Sequence, residues 1–195
     1  MKHQKKMKDD NPLDRRSCVK ITGLAAGGLI TSSLPIQSMA QTGTVEKLKL
    51  AVVGCGGRGT GAAVQALTAD PDVELVAMAD AFKDRVESSL KAIQEHFEGT
   101  DRISIKEKNL FDGFDAYKKA TDLADVVILA TPPGFRPQHF EYAIAQDKHV
   151  FMEKPVATDP VGVRRVLESA RLAREKKLNV VVGLQRRYEK KYLTL

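Results

Sequence analysis

The chain of 195 residues is 43% hydrophobic and 29% charged, which excludes a wholly disordered chain and a collagen-like one. Its net charge of +6 is concentrated at the N-terminus, because residues 1–40 hold seven basic and three acidic side chains. The other residues are nearly balanced in charge and aromatic residues make up only 6% of the chain, so no nucleic-acid partner is expected.

Residues 1–40 have the layout of an export signal. A polar, Lys-rich stretch leads to Arg15 and Arg16, an uncharged stretch covers residues 21–34, and residues 38–40 (Ser-Met-Ala) match a cleavage site. The paired arginines resemble a twin-arginine (Tat) signal, which the Tat export machinery reads. We therefore expect a bacterial periplasmic or exported protein with a linker over residues 41–46. An uncleaved membrane anchor and a disordered basic tail are the alternatives.

From Lys47 onward, short apolar runs alternate with amphipathic helical periods. The sequence predicts strands over residues 48–54, 73–80, 103–105, 124–131, 149–152 and 180–182. It predicts a helix over residues 59–67 that packs on the first strand. It predicts three further helices, whose apolar faces are Val86, Leu90, Ile93 and Phe97, then Phe140, Ala143 and Ile144, then Val163, Val166, Leu167 and Ala170. Apolar strands separated by helices predict an α/β fold with a doubly wound parallel sheet, the Rossmann NAD(P)-binding fold, over residues 47–185.

A Gly-rich segment follows the first predicted strand and opens the first predicted helix. Residues 54–59 fit the pattern G-x-G-x-x-G, which is informative in this strand-turn-helix context. The first Gly permits a tight turn, the second lets the backbone approach a diphosphate, and the third allows close packing of helix on strand. The candidate cofactor-binding residues of this loop are Gly54, Gly56, Gly57, Arg58 and Gly59. A glycine turn in a Rossmann-like domain without cofactor is the alternative.

Asp80 ends the second predicted strand, 21 residues after Gly59. A carboxylate there accepts hydrogen bonds from the ribose hydroxyls of an adenosine and repels a 2′-phosphate, so NAD is favoured over NADP. Lys83 and Arg85 weaken that preference, and NADP stays open. Cys55 is expected to be a small packing residue rather than a nucleophile, because no His lies near it in sequence to activate it.

The fifth predicted strand leads into residues 153–155 (Glu-Lys-Pro). Ligands of an open parallel sheet lie beyond the carboxyl ends of its strands, so Lys154 is aimed at the cofactor cleft. A lysine there can hydrogen-bond a substrate hydroxyl, stabilise its alkoxide or exchange its proton. On spacing alone, a solvated lysine before a turn remains an open interpretation.

These segments together resemble a known family. The Gly-rich loop, residues 131–133 (Thr-Pro-Pro), residues 148–150 (Lys-His-Val) and the Glu-Lys-Pro segment are similar to motifs of the glucose-fructose oxidoreductase / inositol dehydrogenase (Gfo/Idh/MocA) family. The resemblance covers about residues 47–190. It implies NAD(P)-dependent oxidation or reduction of CH–OH groups in a sugar, cyclitol or related polyol.

The resemblance also implies roles for matching positions. Lys154 is expected to be the catalytic lysine, and no metal site is expected. The positions expected to lie against the nicotinamide side of the cofactor, or to border the active site, are Thr131, Pro132, Glu153, Gln185 and Arg186. His139 matches a position near the cleft but is expected to pack or to cap a helix start, and His149 is expected to be structural.

Members of this family carry a second α/β domain, which supplies much of the substrate pocket and usually the oligomer interface. Residues 186–195 are expected to be only the start of that domain, so we expect weak or no activity alone and a homo-oligomer only if the missing domain is present. Three functions stay open: a sugar or cyclitol dehydrogenase, a hydrolase or lyase that uses tightly held NAD for transient oxidation, and a non-catalytic NAD-binding module.

Overall fold

The computed structural model describes residues 46–194. The predicted export signal and residues 41–45 of the predicted linker lie outside the described residues. The strands are β1 (Leu48–Val53), β2 (Val73–Asp80), β3 (Leu110–Asp112), β4 (Val126–Leu129), β5 (His149–Met152) and β6 (Val180–Val182). The helices are α1 (Gly57–Ala69), α2 (Lys83–His96), α3 (Ala116–Asp122), α4 (Arg136–Ala145), α5 (Pro160–Glu175), α6 (Gln185–Tyr188) and α7 (Lys190–Leu193).

The six strands form one parallel sheet in the order β3-β2-β1-β4-β5-β6. The predicted α/β fold with a doubly wound parallel sheet is confirmed. The strand order reverses between β1 and β4, and such a reversal opens a crevice at the carboxyl edge of the sheet. Backbone bonds draw the neighbouring strand ends together there: the Gly54 N–H donates to Ala79 at 2.8 Å and the Ala130 N–H donates to Val53 at 2.8 Å.

The core has two layers because successive side chains of a strand point to opposite faces. On β1, Leu50 and Val52 pack with α1 and α2, whereas Ala51 and Val53 pack with α3, α4 and α5. All four side chains are at most 2% exposed. Coverage of both faces explains why the strands are continuous apolar runs rather than alternating ones.

The prediction of the third strand over residues 103–105 is wrong. Ile103 forms only an isolated bridge to Leu75, and the third strand is β3, which follows a 3₁₀ turn at Glu107–Asn109. The side chains of Ile103 and Ile105 still pack against the α1–α2 layer. The alternating apolar pattern of residues 103–105 therefore reflects a loop segment that buries two side chains without forming a ladder of backbone hydrogen bonds.

The predicted inward face of α5 is also wrong in part. Val166 is buried, but Leu167 is 65% exposed and Val163 is 41% exposed. The buried face consists of Gly162, Val166, Ser169 and Ala173. Small residues face inward because the helix packs closely: a Cβ at Gly162 would lie 3.1 Å from the Pro137 ring at the start of α4.

The remaining helices agree with the predicted faces or add to them. Val86 and Ile93 of α2 are buried, while Leu90 and Phe97 are half-buried. The short helix α3 has no counterpart in the predicted elements. Within residues 46–194, no helix combines the length and the apolar character needed to cross a bilayer.

Candidate functional site

The turn after β1 has a backbone shape that only glycine adopts easily. Gly54 has a φ of +98°, in the left-handed region. A Cβ at this position would lie 2.5 Å from the Thr131 amide nitrogen and 2.6 Å from the Ala130 carbonyl carbon. Both obstacles are backbone atoms, so the absence of a side chain at residue 54 lets the ends of β1 and β4 meet.

The other glycines of the loop divide into two roles. Gly59 lies behind the loop, where a Cβ would meet the Gly54 carbonyl oxygen at 1.9 Å, so it allows α1 to pack on β1. Gly56 is the N-cap of α1 and Gly57 is its first residue, and the Cβ position of each has open space within 4 Å. The start of this helix of 13 residues is therefore accessible, with backbone N–H groups available for an anion.

Asp80 braces the loop from the end of β2. Its Oδ2 accepts a hydrogen bond from the Cys55 N–H at 2.7 Å, and its Oδ1 accepts one from the Phe82 N–H at 3.1 Å. A carboxylate oxygen has two lone pairs, so each oxygen keeps acceptor capacity for a ligand hydroxyl. Asp80 therefore shapes the turn and presents a charge to the cleft at the same time.

Cys55 is a packing residue, as its sequence context predicts. The side chain is 3% exposed, and its Sγ lies 3.4 Å from the Ala79 carbonyl oxygen. Burial, and then the negative charge of Asp80, raise the pKa of the Cys55 thiol to about 12. The thiol is therefore protonated at neutral pH and is a poor nucleophile.

A neutral histidine supports the loop after β4. His139, in α4, is 7% exposed, and its Nδ1 lies 3.1 Å from the Thr131 hydroxyl oxygen. Its ring stacks on Tyr117 with centroids 4.1 Å apart. Burial, and then the charge of Arg136, lower the pKa of His139 to about 4. The imidazole is therefore uncharged at neutral pH and holds the Thr131 side chain in place.

Arg136 is a buried cation that the sequence analysis did not single out. Its Nη1 donates to the carbonyl oxygens of Glu153, at 2.6 Å, and Pro155, and its Nη2 donates to that of Thr131. The side chain is 3% exposed, and burial lowers its pKa while the charge of Glu153 opposes that shift. A Phe-Arg-Pro stretch at a helix start gives little sign of this role, since arginine is usually solvated.

Glu153 forms an ion pair across the cleft with Arg58. Arg58 Nη2 lies 2.7 Å from Glu153 Oε1, with the Arg58 side chain 58% exposed and the Glu153 side chain 6% exposed. Within the described residues this oxygen accepts no hydrogen bond, so the contact is electrostatic. The Gly-rich loop is thereby joined to the strand end that carries Lys154.

Lys154 follows β5 on the exposed side of the same cleft. The cleft has a volume of about 870 Å³, within the size range of cofactor sites. The candidate residues that line it are Gly54, Gly56, Arg58, Asp80, Thr131, Pro132, Glu153, Lys154 and Gln185. Gly57, Gly59 and Arg186 are not among the lining residues. Gly57 is the exposed first residue of α1, Gly59 is buried within α1, and the Arg186 guanidinium lies 5.6 Å from the Tyr192 ring centroid.

A family model described as an oxidoreductase family with an NAD-binding Rossmann fold, GFO_IDH_MocA, matches residues 48–184. The chain belongs to the Gfo/Idh/MocA family.

Two curated relatives show how much of a family member the chain represents. An inositol 2-dehydrogenase from Salmonella typhimurium is 29% identical over 151 residues, covering 76% of this chain and 40% of the relative. A glycosyl hydrolase family 109 protein from Solibacter usitatus is 29% identical over 150 residues, covering 73% of this chain and 33% of the relative. The chain thus spans 40% or less of the length of these relatives.

Two solved structures share the fold. The scyllo-inositol dehydrogenase of Lactobacillus casei superposes with a TM-score of 0.60 at 22% identity, over 76% of this chain and 40% of that one. A 3-ketoreductase of Actinomadura kijaniata, solved with NADP and TDP-benzene, gives a TM-score of 0.56 at 24% identity over the same shares.

The Gfo/Idh/MocA family has an NAD-binding Rossmann fold, and the loop geometry of this chain fits NAD. The side-chain-free surface of Gly56 and Gly57 leaves room for a diphosphate at the start of α1. Asp80 lies at the end of the neighbouring strand, where an adenosine ribose requires an acceptor. Among the described residues, no group of three or more His, Cys, Asp or Glu side chains is arranged to hold a metal ion.

The cleft of this family member also contains aromatic residues that the sequence analysis missed. Phe82, Phe114 and Phe135 line it and are 64%, 74% and 45% exposed, and the rings of Phe114 and Phe135 lie 6.1 Å apart. Each comes soon after the end of a strand in sequence, and residues in that position lie at the carboxyl edge of a parallel sheet, where ligands bind. With the third strand predicted at residues 103–105, Phe114 follows no predicted strand, so the pattern gives no sign that it lies at this edge.

Proposed function

We propose that this chain is the cofactor-binding part of an NAD(P)-dependent oxidoreductase that acts on CH–OH groups of a sugar, cyclitol or related polyol. The observation that carries the proposal is a single cleft lined by Gly56 after β1, Asp80 after β2, Thr131 after β4 and Lys154 after β5. The inositol 2-dehydrogenase and 3-ketoreductase relatives support the substrate class.

Each part of the cleft has a distinct task in binding the dinucleotide. The N–H groups of Gly56 and Gly57 bind the diphosphate, and Asp80 accepts from the adenosine ribose. Thr131, held by the neutral imidazole of His139, lies on the nicotinamide ribose side, with Pro132 beside it. When bound, NAD supplies the hydride acceptor for oxidation of the substrate carbon.

Lys154 handles the substrate proton. Its side chain is exposed to the cleft, and none of the carboxylates in residues 46–194 forms an ion pair with it. In the oxidation its neutral amine accepts the proton of the substrate hydroxyl as the hydride leaves the carbon, and in the reverse reduction its ammonium group stabilises alkoxide charge and returns that proton. Gln185, at the start of α6, borders the same cleft and is assigned to the substrate side.

The cofactor assignment is tested by calorimetric titration of the 195-residue chain with NADH and NADPH. We expect tighter binding of NADH and a loss of that preference in Asp80→Ser, because the charge that repels a 2′-phosphate is removed. Asp84→Asn, in α2 outside the cleft lining, is the matched control and keeps the wild-type preference. If the wild-type chain binds neither NADH nor NADPH, the proposal is overturned.

The role of Lys154 is tested in the product of the complete reading frame, with turnover followed at the nicotinamide absorbance band. Lys154→Met is expected to lower kcat at least about 100-fold while keeping NADH affinity, because it removes the proton-exchanging group. Lys148→Met, before β5, is the control. If Lys154→Met retains full turnover, the lysine is not catalytic. If the wild-type protein binds NADH but neither turns over a polyol nor releases a sugar from a glycoside, the chain is a non-catalytic NAD-binding module.

A second candidate is favoured by the relative from Solibacter usitatus, a glycosyl hydrolase family 109 protein of equal identity. Transient oxidation of a sugar hydroxyl would acidify the neighbouring C–H bond and permit elimination of a glycosidic substituent. Release of a sugar from an aryl glycoside with no net change at the nicotinamide band identifies this reaction. A stoichiometric change at that band with a free polyol identifies the dehydrogenase.

The proposed location is the periplasm or the exterior, reached through the Tat machinery. Support comes from Arg15 and Arg16, the uncharged stretch over residues 21–34 and the small residues at 38–40. A reporter fused to residues 1–46 should be exported in a bacterium, and Arg15→Lys with Arg16→Lys should block export. Lys5→Gln with Lys6→Gln is the control that keeps the pair. Export that is unaffected by the arginine substitutions removes the Tat assignment.

A further inference from the structure

We propose that Arg136 is a positioning residue that holds the peptide carrying Lys154 in register with Thr131, an assignment that rests on the function proposed above. The two segments that it joins, after β4 and after β5, are the ones assigned to the nicotinamide and substrate end of the cleft.

The backbone ladder between β4 and β5 ends before the functional residues. The last ladder pair is Leu129 with Met152, and the last bond between the two segments runs from the Glu153 N–H to the Leu129 carbonyl oxygen at 3.0 Å. Thr131 and Lys154 both lie beyond this point. Without another connection, the two segments are independent loops whose relative positions the sheet does not determine.

Arg136 supplies that connection from the first residue of α4. Its Nη1 donates to Glu153 at 2.6 Å and to Pro155, the two residues that flank Lys154, and its Nη2 donates to Thr131. All three acceptors are backbone carbonyl oxygens, so the contact fixes the course of the chain and not merely a side chain. Thr131 receives a second restraint through its hydroxyl from His139.

The chemistry of arginine suits this task better than that of any other side chain. A planar guanidinium presents five N–H donors on three nitrogens in a rigid fork, whereas the three donors of a lysine ammonium all start from one nitrogen and reach a smaller span. Burying this charge at 3% exposure is costly, and the carboxylate whose charge acts on it, Glu153, forms its ion pair with Arg58. An apolar side chain would fill the space at lower desolvation cost, so the residue type indicates positioning rather than stability.

The test compares two ligands that occupy different lengths of the cleft. NADH reaches both ends, whereas ADP occupies only the Gly-rich loop and Asp80. In the 195-residue chain, Arg136→Lys and Arg136→Met are expected to weaken NADH binding about tenfold or more. The reason is that the hydrogen bonds from Arg136 to the backbone, which hold the segments at the nicotinamide end in place, are lost. ADP affinity is expected to stay within about twofold of wild type. Arg164→Met, on the exposed surface of α5, is the matched control and leaves both affinities unchanged.

A second readout reports on Lys154 itself. The rate of amine acylation at Lys154 is followed by peptide mass spectrometry across a pH series, with and without NADH. In the wild-type chain NADH is expected to slow acylation of Lys154. In Arg136→Lys at saturating NADH this protection is expected to be lost, because the lysine no longer faces the cofactor.

The outcomes separate this assignment from the proposed function. The positioning role is overturned if the variants weaken the binding of NADH and of ADP equally. It is also overturned if NADH affinity is unchanged and the protection of Lys154 is retained, or if both variants lose their far-ultraviolet circular dichroism signal. If Arg136→Met alone fails to fold, Arg136→Lys decides. Failure of the wild-type chain to bind either nucleotide overturns the proposed function instead.

Discussion

Gly54 joins the ends of β1 and β4 at a point where there is no room for a side chain. Because a Cβ would meet the backbone of Ala130 and Thr131, replacement of this residue requires strands to move. The same residue has a left-handed φ of +98°, which adds conformational strain for any residue with a side chain.

Gly54→Ala is therefore expected to lower the free energy of unfolding by about 2 kcal/mol or more, and to weaken NADH binding. Gly61→Ala is the control within α1: it has open space at its Cβ position, and alanine favours a helix by about 0.5–1 kcal/mol. Urea unfolding followed by circular dichroism measures both. Equal stability of Gly54→Ala and wild type would mean that the turn has another shape in solution.

His139 makes the stability of the domain depend on acidity. In the folded state the pKa of His139 is lowered to about 4, whereas in the unfolded chain its pKa is near 6.5. At pH values between these two, His139 is unprotonated in the folded state and protonated in the unfolded chain. The unfolded state binds more protons in this window, so the free energy of unfolding falls as pH drops from about 6.5 to about 4, by up to ~3 kcal/mol.

His139→Asn is expected to flatten this dependence, because asparagine retains a polar atom near the Nδ1 position and does not titrate. Denaturant unfolding at a series of pH values gives the slope for each variant. His96→Asn, at the exposed end of α2, is the control. A slope in His139→Asn equal to that of wild type would assign the acid sensitivity to other groups.

Helix α5 shows how packing distance selects a face. Val166 is 8% exposed and packs in the α3–α4–α5 layer, whereas Leu167 is 65% exposed. We expect Val166→Ala to cost about 1–2 kcal/mol of unfolding free energy and Leu167→Ala less than about 0.5 kcal/mol. Thermal and urea unfolding of the two variants measure the difference. A larger cost at Leu167 would favour the face predicted from the sequence.

At the scale of elements, long apolar runs were predictable and short ones were not. The cores of β1, β2 and β4 were found because a strand buried on both faces is continuously apolar. β3 has only three residues, half-buried or exposed, so its sequence carries little periodic signal. The α5 face was misassigned because hydrophobicity alone ranks Leu above Gly and Ser, while close packing against α4 requires small residues.

For the whole molecule, cofactor binding and folding are linked. The cleft is built from the ends of β1, β2, β4 and β5, so unfolding of the sheet destroys it and the ligand binds only the folded state. NADH at 100 times its Kd is expected to raise the free energy of unfolding by about 2.7 kcal/mol. Thermal unfolding at several NADH concentrations measures the effect, with Asp80→Ser giving a smaller rise. A melting temperature independent of NADH would contradict the assignment of the cleft.

The sequence by itself determined the parallel α/β class, the turn around Gly54, the position of Asp80 at the end of β2 and the placement of Lys154 after β5. These features are local, since a strand, a turn and the residue that follows them are contiguous in the chain. Only the tertiary structure showed that Arg136 bridges Thr131 and the Lys154 loop, that His139 is neutral, and that Glu153 pairs with Arg58. These properties depend on distances between separate strand ends and on burial, which no local pattern encodes.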